Sequence, residues 1–249
     1  MTARIDRLWP DAAEQLSDDD LIASIDHAGV RVNFISSIDG AATRDGLSGG
    51  LGGPADQRLF ELLRRVADVV VVGAGTVRAE GYGPLRVSEA SQRWRVDHGR
   101  TPHPILAIVT GRLGLDPGSE IFTAAPVRPI IFTTENARNA EGIESFADVA
   151  DVVVEGRERV RPETIVAHLT SKRSLHRILC EGGPSLFGDF IGGEQVDELC
   201  VTLSPALEAG QARRIARSDA AHPQDMSLAT VLRSGDTLLL RYARSAPST

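Results

Sequence analysis

Two glycine motifs in this sequence are suited to binding a phosphorylated ligand. The first, Gly73-Ala-Gly75-Thr76, follows the β-branched run 69–72 and precedes a helical pattern. Glycine allows a tight turn, and the free N–H groups at a helix start can hold a pyrophosphate together with the Thr76 hydroxyl. The third glycine and the acidic residue of a full dinucleotide fingerprint are missing, so a packing turn is the alternative.

The second glycine motif, Glu181-Gly182-Gly183-Pro184-Ser185, also joins an apolar run to a helical pattern. Proline suits the first turn of a helix, which leaves a purely structural turn as the alternative. Ligands of open α/β sheets collect at the carboxyl ends of the strands. We therefore expect both glycine motifs to face one crevice.

A third group of small polar residues, including Asn33, Ser36 and Ser48, lies around the turn Asp39-Gly40. Such side chains at a strand end can hydrogen-bond the edge of a heterocycle. The Asp-Gly pair is also a good turn in its own right, so both interpretations stay open.

The composition argues against several other kinds of protein. The net charge of the 249 residues is -7 and the 27 basic residues are scattered, whereas nucleic-acid binding needs a dense basic face. Neither zinc nor serine-esterase signatures occur and the six histidines are isolated, so we expect no metal. Cys180 and Cys200 lie in apolar runs typical of buried thiols in a reducing compartment.

The elements that must position these residues are those of an α/β fold. The run 69–72 is typical of a strand covered by helices on both faces, and apolar residues recur at helical spacing over 54–66. Further strands are predicted at 31–37, 105–109, 129–132, 152–154, 177–180 and 199–203, with a C-terminal β-hairpin at 228–233 and 237–242. The pattern predicts a mostly parallel central sheet flanked by helices.

The chain organisation is predicted as one domain with a short extension. Residues 1–29 are expected to form a peripheral N-terminal arm with one short helix, and 30–244 a single domain. We expect 80–104 to be a long surface excursion and 245–249 to fray. No apolar run reaches a membrane span and no signal-peptide pattern occurs, so we expect no membrane partner and a cytoplasmic location.

In this order, the motifs resemble the C-terminal reductase domain of the bifunctional riboflavin-biosynthesis deaminase/reductase, a family with the dihydrofolate-reductase fold. The matching residues are Ser37-Ile-Asp39-Gly40, Gly46, Ser48, Leu63-Arg64, Ala67-Asp68, Gly73 through Glu80, Glu181 through Pro184, Asp197-Glu198-Leu199 and Ser204-Pro205. They span most of residues 31–205. The deaminase half has no counterpart, so we expect a stand-alone reductase.

The resemblance implies hydride transfer from NADPH to the ring-opened ribose imine of a phosphoribosylamino-pyrimidine, namely 5-amino-6-(5-phosphoribosylamino)uracil. It further implies a cis peptide bond at Gly182-Gly183 and a homodimer formed through the segment 196–204. Either Glu181 or Asp56 would orient the acceptor or relay a proton. No flavin or metal is implied.

The site residues that the resemblance and the motifs imply form two sets. The cofactor set is Ser36, Gly73, Gly75, Thr76, Glu80, Gly182, Gly183, Pro184 and Ser185, with Arg78, Thr110 and Arg112 at the 2′-phosphate of NADPH. The substrate set is Asn33, Ser48, Asp56, Arg64, Arg86 and Glu181.

Two loops depart from the family pattern. Residues 81–86 replace an acidic-Pro-x-Leu-Thr loop, and the glycine-rich stretch 49–53 stands where relatives carry a large aromatic residue. Asp56 lies where dihydrofolate reductases hold a pterin; its carboxylate could pair with an amino-amidine edge or simply favour the first helical turn. The alternative functions are therefore dihydrofolate or pteridine reduction, and non-catalytic NADPH binding.

Overall fold

The fold is described by a computed structural model over residues 3–138 and 142–245. The strands are β1 (Asp6–Trp9), β2 (Gly29–Ser37), β3 (Val69–Gly73), β4 (Ile105–Val109), β5 (Ile130–Thr133), β6 (Asp151–Val154), β7 (Arg177–Cys180), β8 (Glu198–Ser204), β9 (Met226–Ser234) and β10 (Thr237–Arg244). The helices are α1 (Asp18–Ala23), α2 (Pro54–Val66), α3 (Ala74–Glu80), α4 (Glu89–Asp97), α5 (Glu120–Thr123), α6 (Glu135–Arg138), α7 (Pro162–Ala167) and α8 (Pro184–Gly192).

The strands within the described residues form one sheet in the order β1-β9-β10-β8-β2-β7-β3-β4-β5-β6. The pairs from β8 through β2, β7, β3, β4 and β5 to β6 are parallel, whereas β10 pairs antiparallel with β8 and β9, and β9 with β1. The predicted α/β class, mostly parallel sheet and C-terminal hairpin are confirmed. Parallel strands place their carboxyl ends at one edge, which is where the glycine motifs lie.

The sheet is covered on both faces, as the β-branched run predicts. Val70 and Val72 of β3 point into one hydrophobic cluster together with Leu62 and Leu63 of α2, and Val69 and Val71 point into a second cluster that contains Phe187 and Phe190 of α8. All four valines are fully buried. Alternate residues of a strand face opposite sides, so α2 and α8 pack on opposite faces of the sheet.

The N-terminal segment contains the expected short helix, α1, and also adds a strand, β1, at the edge of the sheet. Strand β1 pairs with β9, and the side chains of Ile5 and Leu21 are buried in the main hydrophobic cluster. The sequence understates this packing because β1 has only four residues and no clear alternation of polar and apolar side chains. The division of the chain at residue 29 or 30 stays a prediction.

Arg58 of α2 fastens the N-terminal segment to the domain. Its guanidinium donates to the carbonyl oxygens of Ala3 (2.8 Å) and Leu16 (2.9 Å) and to the carboxylate of Asp18 (2.9 Å). The Arg58 side chain is 12% exposed. Its removal therefore leaves partly buried acceptors without a donor.

We expect Arg58→Ala to lower the free energy of unfolding by about 2 kcal/mol, because hydrogen bonds to a charged group are worth about 1.5–3 kcal/mol and buried acceptors lose their partner. Urea unfolding measures this difference. The matched control is Arg93→Ala, whose ion pair with Glu89 is exposed on α4; it should change stability by no more than about 0.5 kcal/mol. Equal unfolding midpoints for the two variants would contradict the prediction.

The segment 80–104, predicted as a long surface excursion, is partly helical and includes buried residues. It contains α4, which begins after the capping residue Ser88 and buries Arg95 almost completely. The Arg95 guanidinium donates to the carbonyl oxygens of Arg65 (2.9 Å), Ala67 (2.5 Å) and Thr101 (2.7 Å). Composition does not reveal this helix, because α4 has no apolar stripe. It is instead anchored by an arginine that donates to backbone carbonyl groups at the end of α2.

Three further sequence expectations can be compared with the structure. Cys180 and Cys200 are free and buried as predicted, and burial raises the pKa of Cys180 to about 12 and that of Cys200 to about 11. Among the described helices, none is long and apolar enough to cross a membrane. The predicted fraying concerns 245–249, of which only Ser245 lies within the described residues.

Candidate active site

Two adjoining cavities open at the carboxyl edge of the parallel strands. We name the first, of about 460 Å³, the aromatic cavity because Phe34, Phe60 and Tyr82 line it. We name the second, of about 760 Å³, the glycine cavity because Gly73, Gly75 and Gly183 line it. The residues that line both cavities are Ala42, Thr43, Thr76, Glu80, Gly183 and Pro184. The predicted single crevice is therefore present, and it has two compartments.

The two glycine motifs meet at the floor of the glycine cavity. The N–H of Gly73 donates to the carbonyl oxygen of Gly182 (2.7 Å), so the β3–α3 and β7–α8 junctions are joined directly. A Cβ on Gly183 would lie 2.4 Å from Oγ1 of Thr76, which explains why this position has no side chain. The peptide bond Gly182-Gly183 is cis, as the resemblance implied. The junction leaves backbone groups of both helix starts beside the cavity.

Gly182 lines neither cavity, although its neighbours Glu181 and Gly183 do. Its φ of +84° is a conformation that side-chain-bearing residues rarely adopt, and a Cβ there would lie 2.4 Å from Cζ of Phe34. Phe34 in turn stacks on Phe187 of α8, with ring centroids 5.1 Å apart. Packing of the aromatic wall and the conformation of the glycine junction are therefore linked.

A charged network forms one wall of the aromatic cavity. Arg64 of α2 donates from Nε and Nη2 to the two carboxylate oxygens of Glu181, both at 2.7 Å. The hydroxyl of Tyr82 donates to Oε2 of the same carboxylate, also at 2.7 Å. The guanidinium carbon of Arg64 lies 4.1 Å from the ring centroid of Phe60. Arg64 and Glu181, placed in one site by the sequence, are thus brought together.

The environment of this network alters its proton equilibria. Burial would lower the pKa of Arg64, but the charge and hydrogen bonds of Glu181 outweigh it, and the pKa is raised. Burial and the neighbouring Glu181 charge both raise the pKa of the Tyr82 hydroxyl. Around neutral pH Arg64 is therefore charged and Tyr82 is a neutral hydrogen-bond donor.

Asp56 lies in the same cavity but apart from this ion pair. It is in the first turn of α2. Burial raises the pKa of Asp56, and the nearby Thr202 side chain on β8 only partly opposes this. Asp56 therefore presents a partly desolvated carboxyl group to the cavity.

The raised pKa of Asp56 predicts a specific pH dependence of stability. A carboxyl group whose pKa is higher in the folded than in the unfolded state destabilises the fold when ionised, so its penalty grows as pH rises from about 3.8 through the folded-state pKa. We expect Asp56→Asn to unfold at higher urea than the wild type above this window and to match it below.

The control for this measurement is Asp45→Asn, at an exposed position. Its difference from the wild type should be small at every pH. A difference for Asp56→Asn that does not change with pH would contradict the assignment of a raised pKa to this carboxyl group.

The other predicted site residues are distributed unevenly. Asn33, Ser48 and Arg86 line the aromatic cavity, and Ser185 lines the glycine cavity. Ser36 lines neither of these two cavities, and its hydroxyl donates to the carbonyl oxygen of Ser37 (2.9 Å). The structure therefore gives no geometric support to the prediction that Ser36 contacts a cofactor.

The three residues predicted to read a 2′-phosphate lie near one another but outside both cavities. Arg78 Nη1 donates to the carbonyl oxygen of Gly114 (2.8 Å), which holds α3 against the loop after β4. Thr110 and Arg112 begin that loop, and the N–H of Arg112 contacts Oγ1 of Thr110 at 3.4 Å. The loop is therefore placed beside the first glycine motif.

Several lining residues were missed by the sequence analysis. Tyr82 and Phe60 belong to the aromatic cavity, and Phe60 could have been found because it lies four residues before Arg64 on the same helix face. Arg44 and Glu208 form an ion pair beside the glycine cavity, with Nε 2.8 Å from Oε1. Their separation of 164 positions gives no sequence signal.

Comparison with known proteins identifies a family to which this chain is similar. The sequence profile of the RibD C-terminal domain family matches residues 28–240. A relative from Archaeoglobus fulgidus, named 2,5-diamino-6-ribosylamino-4(3H)-pyrimidinone 5′-phosphate reductase, is 26% identical over 183 residues, which are 73% of this chain and 82% of that protein.

Two solved structures share the fold. A pyrimidine reductase-like protein from Corynebacterium diphtheriae has a TM-score of 0.83 and 27% identity, covering 93% of this chain and 100% of that one. The riboflavin biosynthesis reductase of Saccharomyces cerevisiae has a TM-score of 0.64 and 16% identity, covering 88% and 90%, and shows the fold alone. The fold predicted from the resemblance is confirmed, and this chain belongs to the RibD C-terminal domain family.

Proposed function

We propose that this chain is an NADPH-dependent reductase of a phosphoribosylamino-pyrimidine of riboflavin biosynthesis, transferring a hydride to its ring-opened ribose imine. The family match and the name of the Archaeoglobus relative support an oxidoreductase acting on such a compound. The observation that carries the proposal is the junction of two cavities at Thr76, Gly183 and Pro184. A dinucleotide in one compartment can meet a small acceptor in the other there.

The glycine cavity fits the phosphates of a dinucleotide. Membership of a reductase family implies a reduced nicotinamide cofactor. The cradle beside Gly183 would be filled by any Cβ, and Ser185 and Thr76 supply hydroxyl groups at the two helix starts. The choice of NADPH over NADH is supported by Arg78 and Arg112, whose guanidinium groups suit the extra phosphate dianion.

The protein's own residues contribute mainly by positioning. When bound, the reduced nicotinamide supplies a hydride. The Arg64–Glu181 pair offers fixed polar groups to the acceptor, while Phe34 and Phe60 exclude water from the same cavity. Because a hydride donor and its acceptor need only be held at reacting distance, most of the rate acceleration is expected from orientation. Glu181 or Asp56 is the candidate to orient the acceptor or relay a proton.

Asp56 favours a particular pyrimidine. A carboxylate can accept two hydrogen bonds from an amino-amidine edge, which a 2-aminopyrimidinone has and a uracil lacks. The Archaeoglobus relative is named for the 2,5-diamino compound. We therefore propose the 2,5-diaminopyrimidinone phosphate, rather than the deaminated uracil, as the preferred acceptor. Dihydrofolate shares this edge, but the names of the relatives do not favour pteridine reduction.

The decisive experiment is to follow NADPH oxidation by the purified protein with the diaminopyrimidinone, the uracil and dihydrofolate offered separately, and with NADH in place of NADPH. We expect turnover of the diaminopyrimidinone with NADPH. In Asp56→Asn, the preference for the diaminopyrimidinone over the uracil should be smaller. Turnover of dihydrofolate alone would replace the proposed acceptor, and tight NADPH binding without any turnover would reject a reductase.

A homodimer and a cytoplasmic location complete the proposal. The segment 196–204 contains β8, which lies inside the sheet rather than at its edge. Leu203 and Val201 pair with Leu238 and Leu240 of β10, and these four side chains are only half-buried. This apolar face supports dimerisation through the sheet surface. Sedimentation velocity distinguishes a dimer from a monomer.

A further inference from the structure

Tyr82 is placed by the loop in which this chain departs from its family. Gly81 ends α3 with φ of +66° and ψ of 44°, and the N–H of Tyr82 donates to the carbonyl oxygen of Val77 (3.0 Å). This left-handed turn folds the chain back, so the Tyr82 ring packs against the main hydrophobic cluster. The phenol is thereby directed at the wall of the aromatic cavity.

The Tyr82 hydroxyl completes the hydrogen bonds of a buried carboxylate. The Glu181 side chain is 2% exposed, and its Oε2 accepts from both Arg64 Nη2 and the Tyr82 hydroxyl. The guanidinium carbon of Arg64 is close to two rings, 4.1 Å from the centroid of Phe60 and 5.8 Å from that of Tyr82. Tyr82 thus touches both members of the ion pair, by a hydrogen bond to one and by its ring to the other.

We propose that Tyr82 is a positioning residue for the reduction, acting through the orientation of the Arg64–Glu181 pair, and that the 81–86 loop supplies this function in this chain. The inference rests on the proposed function. Arg64 alone fixes the distance and plane of the carboxylate through two parallel bonds, but leaves the pair free to tilt within the cavity. A third bond from a rigid ring on another element restrains that tilt.

The first test is Tyr82→Phe, which removes the hydroxyl and retains the ring, compared with Tyr242→Phe at the only other tyrosine of the sequence. We expect a fall of about 10- to 100-fold in kcat/KM for the pyrimidine in Tyr82→Phe, the range for losing a hydrogen bond to a charged group. NADPH affinity should stay within about twofold. Tyr242→Phe should retain wild-type kinetics.

A double-mutant cycle separates positioning from a general structural effect. If Tyr82 acts through Glu181, the variant Tyr82→Phe/Glu181→Gln should be no slower than Glu181→Gln alone. Additive losses would overturn the proposal, as would unchanged kinetics in Tyr82→Phe. A fall in Tm without a change in kcat/KM would assign Tyr82 a purely structural role.

A spectroscopic measurement tests the contact between Tyr82 and Glu181 without relying on turnover. Incorporation of 3-fluorotyrosine gives two fluorine resonances, which Tyr82→Phe assigns. Glu181→Gln should shift the Tyr82 resonance and leave that of Tyr242 in place. If the wild-type protein reduces no pyrimidine, the proposed function fails, whereas an unmoved Tyr82 resonance would overturn the inferred coupling even in an active enzyme.

Discussion

Replacing Arg64 by alanine is expected to lower kcat/KM for the pyrimidine by at least about 30-fold, because truncating one partner of a buried charge pair costs about 2–5 kcal/mol. The Glu181 side chain is 2% exposed and Arg64 makes two of its hydrogen bonds. The same change should destabilise the fold by about 3–5 kcal/mol, since it leaves a buried charge without its partner. Steady-state kinetics and urea unfolding measure the two effects separately.

The control for Arg64→Ala must separate the loss of chemistry from the loss of stability. The combination Arg64→Met, Glu181→Leu and Tyr82→Phe replaces the whole network by apolar side chains of similar size and leaves no orphaned polar group. Such replacements are often neutral or stabilising. We expect near-wild-type unfolding and no turnover. Activity in this variant would show that the network serves only the fold.

The second large effect is expected for Gly182→Ala, which should destabilise the protein by about 2–5 kcal/mol and abolish detectable NADPH binding. The added Cβ would lie 2.4 Å from Cζ of Phe34 and 3.0 Å from its Cε1. Overpacking of this kind costs about 1–3 kcal/mol, and a side chain in the left-handed region costs about 1–2 kcal/mol more. Thermal unfolding and titration with NADPH measure both outcomes.

Gly75→Ala is the matched comparison because Gly75 belongs to the other glycine motif and lines the glycine cavity. No atom lies within 4 Å of a Cβ at Gly75, and the residue is helical. Alanine is favoured over glycine by about 1 kcal/mol within a helix. Gly75→Ala should therefore leave stability equal or higher. Similar losses of stability in both variants would contradict the close approach at Gly182.

The fold was largely predictable where local pattern and tertiary packing agree. The valines of β3 alternate between two buried clusters, and the glycine motifs end strands of one parallel sheet, as the sequence indicated. The sequence failed where a polar group takes the place of an apolar pattern. Arg95 is buried because it caps the end of α2, and β1 is too short to show alternation.

The site divides in the same way. The sequence by itself determined the residue types at the strand ends, and with them the glycine junctions and the candidate partners Arg64 and Glu181. Tertiary structure alone decided that Tyr82 would bind Glu181, 99 positions away, and that Ser36 would hydrogen-bond its neighbour's backbone instead of lining either cavity. The order of the strands and the left-handed turn at Gly81 decide which of these side chains meet. Neither feature produces a periodic pattern of residues that could be recognised in the sequence.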